Sequence, residues 1–351
     1  MTRNKKKLLI RLLGGIFTVL VLAGFAAAYI VYHNVFEPNV DLEGRNHVHV
    51  FIPTGSTYDD VRSILKEKDI LENHETFERV ARRKNYPNLV RAGRYRILNG
   101  MSNNELINML RAGNQDPVNV TFNNIRTREQ LAGAVSGMLE ADSLSLIELL
   151  NDPEVAARFG FDRETFPLMF IPNTYEFFWN TSASQLLERM YREHQRFWSR
   201  SRLEQAARIN LTPAEVGILA SIVQLETNKN DEMARIAGVY INRLQQNIPL
   251  QADPTVVFAV GDFTINRVLN RHLAVESPYN TYRNPGLPPG PISLPAPFVM
   301  DQVLQYEDHE YIFFCAKDDF SGYHAFAKTY SEHLANARRY QRALNERRIM
   351  R

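Results

Sequence analysis

A single cysteine among 351 residues excludes an intramolecular disulfide and any multi-cysteine zinc site. That residue, Cys315, lies in the apolar run YIFFCA, where a small buried thiol is expected. The nine histidines are scattered and no two stand four residues apart, so no metal centre is expected. No Gly-x-Ser-x-Gly elbow exists, and neither Ser221 nor Ser293 has a histidine near it in sequence, which leaves no candidate serine nucleophile. Phosphate-cradling glycine loops are also missing, and no cofactor is expected. Charge of one sign is not in excess: 41 Lys and Arg face 39 Asp and Glu, so a nucleic-acid partner is not expected.

What the chain does have is apolar material for a globular protein of roughly two or three domains. Its first residues carry Arg3, Lys5, Lys6, Lys7 and Arg11, and Leu12 to Tyr32 then runs 21 residues without a charge. At about 1.5 Å per residue this span crosses a hydrocarbon core of about 30 Å. The basic flank predicts a cytoplasmic tail over 1–11, a transmembrane anchor over 12–32 and everything from His33 onward outside the membrane. A cleaved signal peptide is the alternative, with Ala26, Ala27 and Ala28 as a small-residue cleavage site, but apolar residues continuing to Tyr32 favour the uncleaved anchor.

A polar linker follows, and then a strand-then-helix unit of about 25 residues recurs. Val48 to Ile52 alternates as a strand, PTG turns, and Ser56 with Asp59 opens a helix bearing Val61, Ile64 and Leu65. Tyr95 to Ile97 precedes the capping box Ser102/Glu105, and Val118 to Phe122 precedes Thr127/Gln130. Such units can simply pack on each other, or the first ones can serve as a small extracytoplasmic wall-polymer binder. Leu144 to Arg208 reads as mostly helical, interrupted by PLMFIPNTYEFFWNTS, expected as an ordered surface loop.

Leu211 to Thr227 is a helix with a marked start: Thr212 caps, Pro213 suits the first position and Glu215 completes the box. Glu226 lies three residues after Val223, four after Ile222 and seven after Leu219, so a carboxyl continues an apolar stripe. Desolvation there raises its pKa and suits a general acid; pointing to solvent or pairing with Lys229 or Arg235 is the structural alternative. A helix over Met233–Gln245 follows, then LQADPTVVFAVGDF, and then SPYNTYRNPGLPPGPISLPAP, whose prolines and glycines predict a rigid shaped loop. A helix over Phe298–Tyr306, strands at Tyr311–Ala316 and GYHAFAK, and a closing helix over Tyr330–Arg347 complete the chain.

SIVQLET, IAGVYINRL, LQADPTV, SPYNTYRNPGLPPGPIS and GYHAFAKTYSEH, in that order, resemble the successive motifs of the endolytic murein transglycosylases, the YceG-like family. The resemblance runs over about 120–347 behind an N-terminal anchor and a LysM-like region. It implies an α+β fold class: an N-terminal transmembrane helix, a small LysM-like β/α module over 40–113 and a larger mixed α+β catalytic domain over 114–351. It also implies a peptidoglycan lyase at the bacterial cytoplasmic membrane that cuts nascent glycan strands, accompanied by peptidoglycan synthases, with Glu226 catalytic. By resemblance and residue chemistry, Gln251, Asp253, Thr255, Tyr279, Asn280, Thr281, Tyr282 and His324 line the groove. Asp253 before Pro254 can equally be a turn or helix cap, and His324 a structural histidine.

Two departures from the family pattern stand out. Gln224 occupies a position where many relatives have Glu, and Asn173 one where many have Asp. On a helix, residues two apart face different sides, so Gln224→Glu is expected to change activity little. Two other readings stay open: an inert membrane-anchored wall-binding scaffold, and a water-using muramidase that pairs Glu226 with Asp253 or Asp262.

Overall fold

The computed structural model describes residues 3–347; residues 1 and 2 of the expected cytoplasmic tail lie outside the described residues. The chain divides into two compact units, residues 1–118 with 176–180 and residues 119–175 with 181–351.

The first unit begins with α1 (Arg3–Phe36), whose stretch Arg11–Phe36 is long and apolar enough to cross a membrane. Leu12 to Tyr32 is exposed throughout. Strand β1 (His47–Ile52), helices α2 (Tyr58–Glu67) and α3 (His74–Arg83), strand β2 (Gly93–Leu98) and helix α4 (Asn103–Ala112) follow. β1 and β2 pair antiparallel, His47 opposite Leu98 and Ile52 opposite Gly93, so their alternate residues Val50, Ile52, Tyr95 and Ile97 enter one core. Val61 and Leu65 of α2, Phe77 and Val80 of α3 and Leu106 and Leu110 of α4 close that core.

Two details differ from the sequence reading. The α2 capping box is Thr57 with Asp60, one residue later than Ser56 with Asp59, because Thr57 takes the extended conformation from which its hydroxyl accepts the Asp60 N–H. The strand-then-helix repeat is also not the folding unit. HETFERVARR adds a second helix, capped by Asn73, so β1 returns to β2 only after two helices.

In the second unit, strand β3 (Val118–Phe122) leads to α5 (Arg128–Ser136), α6 (Ser143–Asn151) and α7 (Pro153–Arg158), and β3 pairs with β4 (Asn173–Phe177). The stretch expected as a surface loop is therefore partly a strand. Its apolar residues Leu168, Met169, Phe170 and Ile171 are buried, because their aromatic and aliphatic area stabilises more inside than a surface position could. Helices α8 (Ala183–Phe197) and α9 (Arg200–Arg208) precede the central helix α10 (Pro213–Glu226).

α10 carries the expected Thr212/Glu215 capping box and buries Val216, Leu219, Ile222 and Val223 completely. Each such side chain contributes roughly 1.5–3 kcal/mol of transfer free energy. Around α10 pack α11 (Met233–Gln245), α12 (Asp253–Val260) and, beyond a short α13 (Asn270–Leu273), α14 (Pro297–Leu304). Gly238 of α11 has a packing reason: a Cβ there would lie 2.5 Å from the Glu307 carbonyl oxygen. The antiparallel hairpin β5 (Phe313–Ala316) and β6 (His324–Ala327) and helix α15 (Tyr330–Glu346) end the unit. Cys315 on β5 is a free, half-buried thiol whose pKa burial raises.

Candidate functional site

α10 ends at Glu226 because Thr227 turns to extended dihedrals, and this leaves the carboxyl at the rim of the core that α10 builds. Tyr240, on α11, is fully buried and donates its hydroxyl hydrogen to Glu226 Oε1. Burial drives the Glu226 pKa up to about 7 from 4.5; the Tyr240 hydrogen bond opposes this, nearby Asp253 adds to it and the Arg243 cation opposes it. The pairing alternatives for Glu226 are not realised. Arg235 pairs with Glu307, and the Lys229 ammonium lies 4.7 Å from the centre of the Tyr323 ring.

Arg243, one turn after Tyr240 on α11, fixes the next wall. Its guanidinium donates to the carbonyls of Pro249 at 3.0 Å, Leu250 at 2.9 Å and Ile312 at 2.6 Å, and to Gln251 Oε1 at 3.3 Å. Gln251 holds a left-handed φ of 52°, a strained conformation for a residue other than glycine, kept by these contacts and by its N–H on the Thr281 carbonyl at 3.1 Å. Asp253, at the first position of α12, accepts the Tyr282 hydroxyl at 2.6 Å. Burial raises the Tyr282 pKa, and the bond to Asp253 adds to this.

Three cavities share walls here. One of about 190 Å³ is lined by Glu226, Tyr240, Arg243, Gln251, Asp253 and Tyr282. The next, about 300 Å³, shares Glu226 and Asp253 and extends past Phe258, Phe263 and Asn266 to Arg126. The third, about 220 Å³, shares Arg126 and Phe258 and reaches Arg128 and Tyr279. Glu226 thus stands where two open spaces meet. Among the described residues, no three His, Cys, Asp or Glu side chains converge on a metal position.

The YceG-like family pattern matches residues 50–339. This chain belongs to the YceG-like family. It is 27% identical over 336 residues to a Bacillus subtilis (strain 168) protein named endolytic murein transglycosylase, covering 91% of this chain and 92% of that one. A Streptococcus pneumoniae serotype 2 protein of the same name is 26% identical over 358 residues; the match covers 92% of this chain and 63% of that longer relative. A crystal structure of a YceG-like protein from Listeria monocytogenes superposes with a TM-score of 0.55 at 27% identity, covering 83% of this chain and 98% of that one.

Within this YceG-like fold the residues singled out from the sequence separate into two sets. Glu226, Gln251, Asp253 and Tyr282 converge on one cavity, while Tyr279 lines the third cavity, its ring tilted against Phe258 with centres 4.8 Å apart. Thr255, Asn280 and Thr281 are buried and reach none of the three cavities. The two threonine hydroxyls bond each other at 2.8 Å, Thr281 accepts the Ala252 N–H at 3.0 Å, and the Asn280 amide donates to the Leu273 and Val275 carbonyls. These bonds brace the proline-rich loop. His324 bonds the buried Glu232 at 2.9 Å and sets its ring on Phe314, which lines the Glu226 cavity, so it lies one ring behind the site.

Tyr240, Arg243, Arg126 and Phe314 were not singled out from the sequence. A signal existed for two of them, since Tyr240 and Arg243 are three residues apart and share one face of their helix. Gln224 also has a use that its spacing concealed. Its Oε1 accepts the Ala296 N–H at 2.7 Å and its Nε2 donates to the Leu294 carbonyl at 3.2 Å, tying the proline-rich loop to α10. For stability Gln224→Glu is not neutral: it sets a carboxylate against a carbonyl and leaves that acceptor unpaired, a cost of about 1–3 kcal/mol. Thermal unfolding of the variant is expected at a clearly lower Tm than wild type; an unchanged Tm refutes the anchoring role.

Proposed function

We propose that this chain is a membrane-anchored lytic transglycosylase that cuts within peptidoglycan glycan strands, with Glu226 as its acid and base. The observation that carries the reading is the placement of a carboxyl with a pKa of about 7 at the junction of two open cavities. An inert wall-binding scaffold has no use for so costly a group, and the names borne by the relatives point the same way.

In this mechanism Tyr240 occupies Oε1, so the proton to be delivered sits on Oε2. Glu226 gives that proton to the glycosidic oxygen between muramic acid and glucosamine, and the C1–O bond breaks as the leaving sugar departs with its hydroxyl. The 6-hydroxyl of the same muramoyl residue forms the new bond to C1 and returns its proton to Glu226, leaving a 1,6-anhydro end. One carboxylate suffices, because nucleophile and leaving oxygen belong to one sugar and no water has to be captured. Asp253, Gln251 and Tyr282 hold the glycan, and Arg243 fixes the wall that carries them.

The organisation that goes with this reading is an anchor over 12–32 in the bacterial cytoplasmic membrane, the N-terminus cytoplasmic, a LysM-like module over 40–113 and the catalytic domain over 114–351 outside. The basic flank and the exposed apolar helix support the anchor, and the strand–helix–helix–strand order of β1 to β2 supports the module. Peptidoglycan synthases that extrude the nascent strands are the expected partners.

A second reading keeps a specific foothold: Asp253 shares both cavities with Glu226, as a water-activating carboxylate would. Mass spectrometry of products from purified glycan strands separates the two. Anhydro ends support the transglycosylase, reducing ends support hydrolysis, and uncut strands refute both.

The elevated pKa gives a pH signature. Delivery of a proton requires protonated Glu226, so kcat/KM is expected to be level below about pH 7 and to fall above it. Stability carries the same sign. Between 4.5 and about 7 the folded chain retains a proton that the unfolded chain has released, so Glu226 lowers stability as pH rises through this window. Glu226→Gln removes that loss, and its Tm advantage over wild type should widen between about pH 5 and about pH 8. A pH-independent difference places the proton elsewhere.

A further inference from the structure

The third cavity has no part in the bond-breaking step, yet it is lined for a charged ligand. Arg128 stands at the first position of α5; its terminal nitrogen donates to the Arg163 carbonyl, while its Nε–H is buried with no hydrogen-bond partner. Arg126 lines both this cavity and the one at Glu226, its guanidinium 5.0 Å from the centre of the Phe263 ring. Neither arginine forms an ion pair among the described residues, although Glu129 and Glu164 lie in the same lining. Leu131, Leu150 and Pro167 supply an apolar wall. Gly290 keeps the loop against this site, because a Cβ there would meet the Glu164 carbonyl and the Tyr279 hydroxyl.

A neutral sugar ring can lay a C–H face on the apolar wall and hydrogen-bond to the charged groups, but it brings no charge to the arginines. A short peptide uses all three: alkyl side chains for the wall, amides for the tyrosine and carboxylates, and acid groups for the arginines at the positive end of a helix. On a glycan strand lying along the cavities, the group of that kind is the peptide stem carried by the lactyl arm of a muramoyl residue.

We propose that the cavity walled by Arg126, Arg128 and Tyr279 binds the carboxylate-bearing peptide stem of a muramoyl residue near the cut bond. The cavity then makes the enzyme select strands that still carry stems. The proposal rests on the groove accepting peptidoglycan strands, and its test reads binding separately from cutting.

The test uses the full-length protein carrying Glu226→Gln, so that strands are held without being cut. Its affinity is measured for stem-bearing strands and for strands stripped by an amidase, which retain only the free lactyl carboxylate. Stem-bearing strands are expected to bind about tenfold or more tightly, the value of a charge-assisted hydrogen bond or two. Adding Arg128→Met, or Arg126→Met where the first variant fails to fold, should bring the two affinities within about twofold of each other. In the cutting enzyme the same substitutions should raise KM for stem-bearing strands far more than they lower kcat. Equal affinity for both strands, or a stem preference that survives both substitutions, overturns the proposal. A wild-type enzyme that cuts neither strand overturns the proposed function instead, and the affinity comparison still decides the stem site.

Discussion

Glu226→Gln is expected to leave the chain folded and, on the proposed mechanism, to lower release of anhydro products by at least about 10²–10⁴-fold, the range general acid–base catalysis supplies. Gln retains the size of Glu, and its carbonyl oxygen can still accept the Tyr240 hydroxyl, so the α10–α11 contact survives. What disappears is the transferable proton, and with it both halves of the proposed reaction. The loss is therefore expected in kcat rather than KM, measured on glycan strands with circular dichroism as the folding control. A folded Glu226→Gln enzyme with near-wild-type turnover moves the catalytic acid to another carboxylate. Asp253 is then the first candidate because it shares the cavities; Asp262 is exposed and its carboxylate already accepts from Thr264, which lowers its pKa.

Arg243→Met is expected to damage the fold as well as the site. The guanidinium is buried, and its removal leaves the carbonyls of Pro249, Leu250 and Ile312 without that donor. At about 1–3 kcal/mol for each stranded acceptor, the variant should lose roughly 3 kcal/mol or more of stability. Gln251 loses the contact that helps hold its left-handed backbone, so the wall beside Asp253 relaxes and cutting falls further than the fraction folded accounts for. Chemical denaturation checks the first part, and turnover per folded molecule the second. A stability within about 1 kcal/mol of wild type refutes the assigned role, because surface substitutions stay inside that range.

Where the sequence was readable, the information was local. The Thr212/Glu215 box, the Pro213 start and the apolar stripe placed α10 and put Glu226 at the end of its buried stripe, since capping and helical periodicity act within a few residues. The Ser102/Glu105 box likewise marked the start of α4. Proline and glycine spacing identified a rigid loop but could not tell which of its polar residues face inward, because that depends on packing against α12 and α10. Thr255, Asn280 and Thr281 brace the loop for that reason, although their chemistry alone suits ligand binding. Helix α3 went unread between two recognisable strands, its short amphipathic turn hidden among charges.

Sequence by itself determined the apolar N-terminal span, the central helix and the acid at its end, each specified by residues within one or two turns of one another. Only the tertiary structure decided what that acid can do. The Tyr240 hydroxyl, the Arg243 anchor and the Asp253 carboxylate come from elements distant in the chain, and desolvation is a property of the assembled core rather than of any segment. The same holds for Arg126 and Arg128, whose charges acquire a direction only when α5, the proline-rich loop and Tyr279 close a cavity around them.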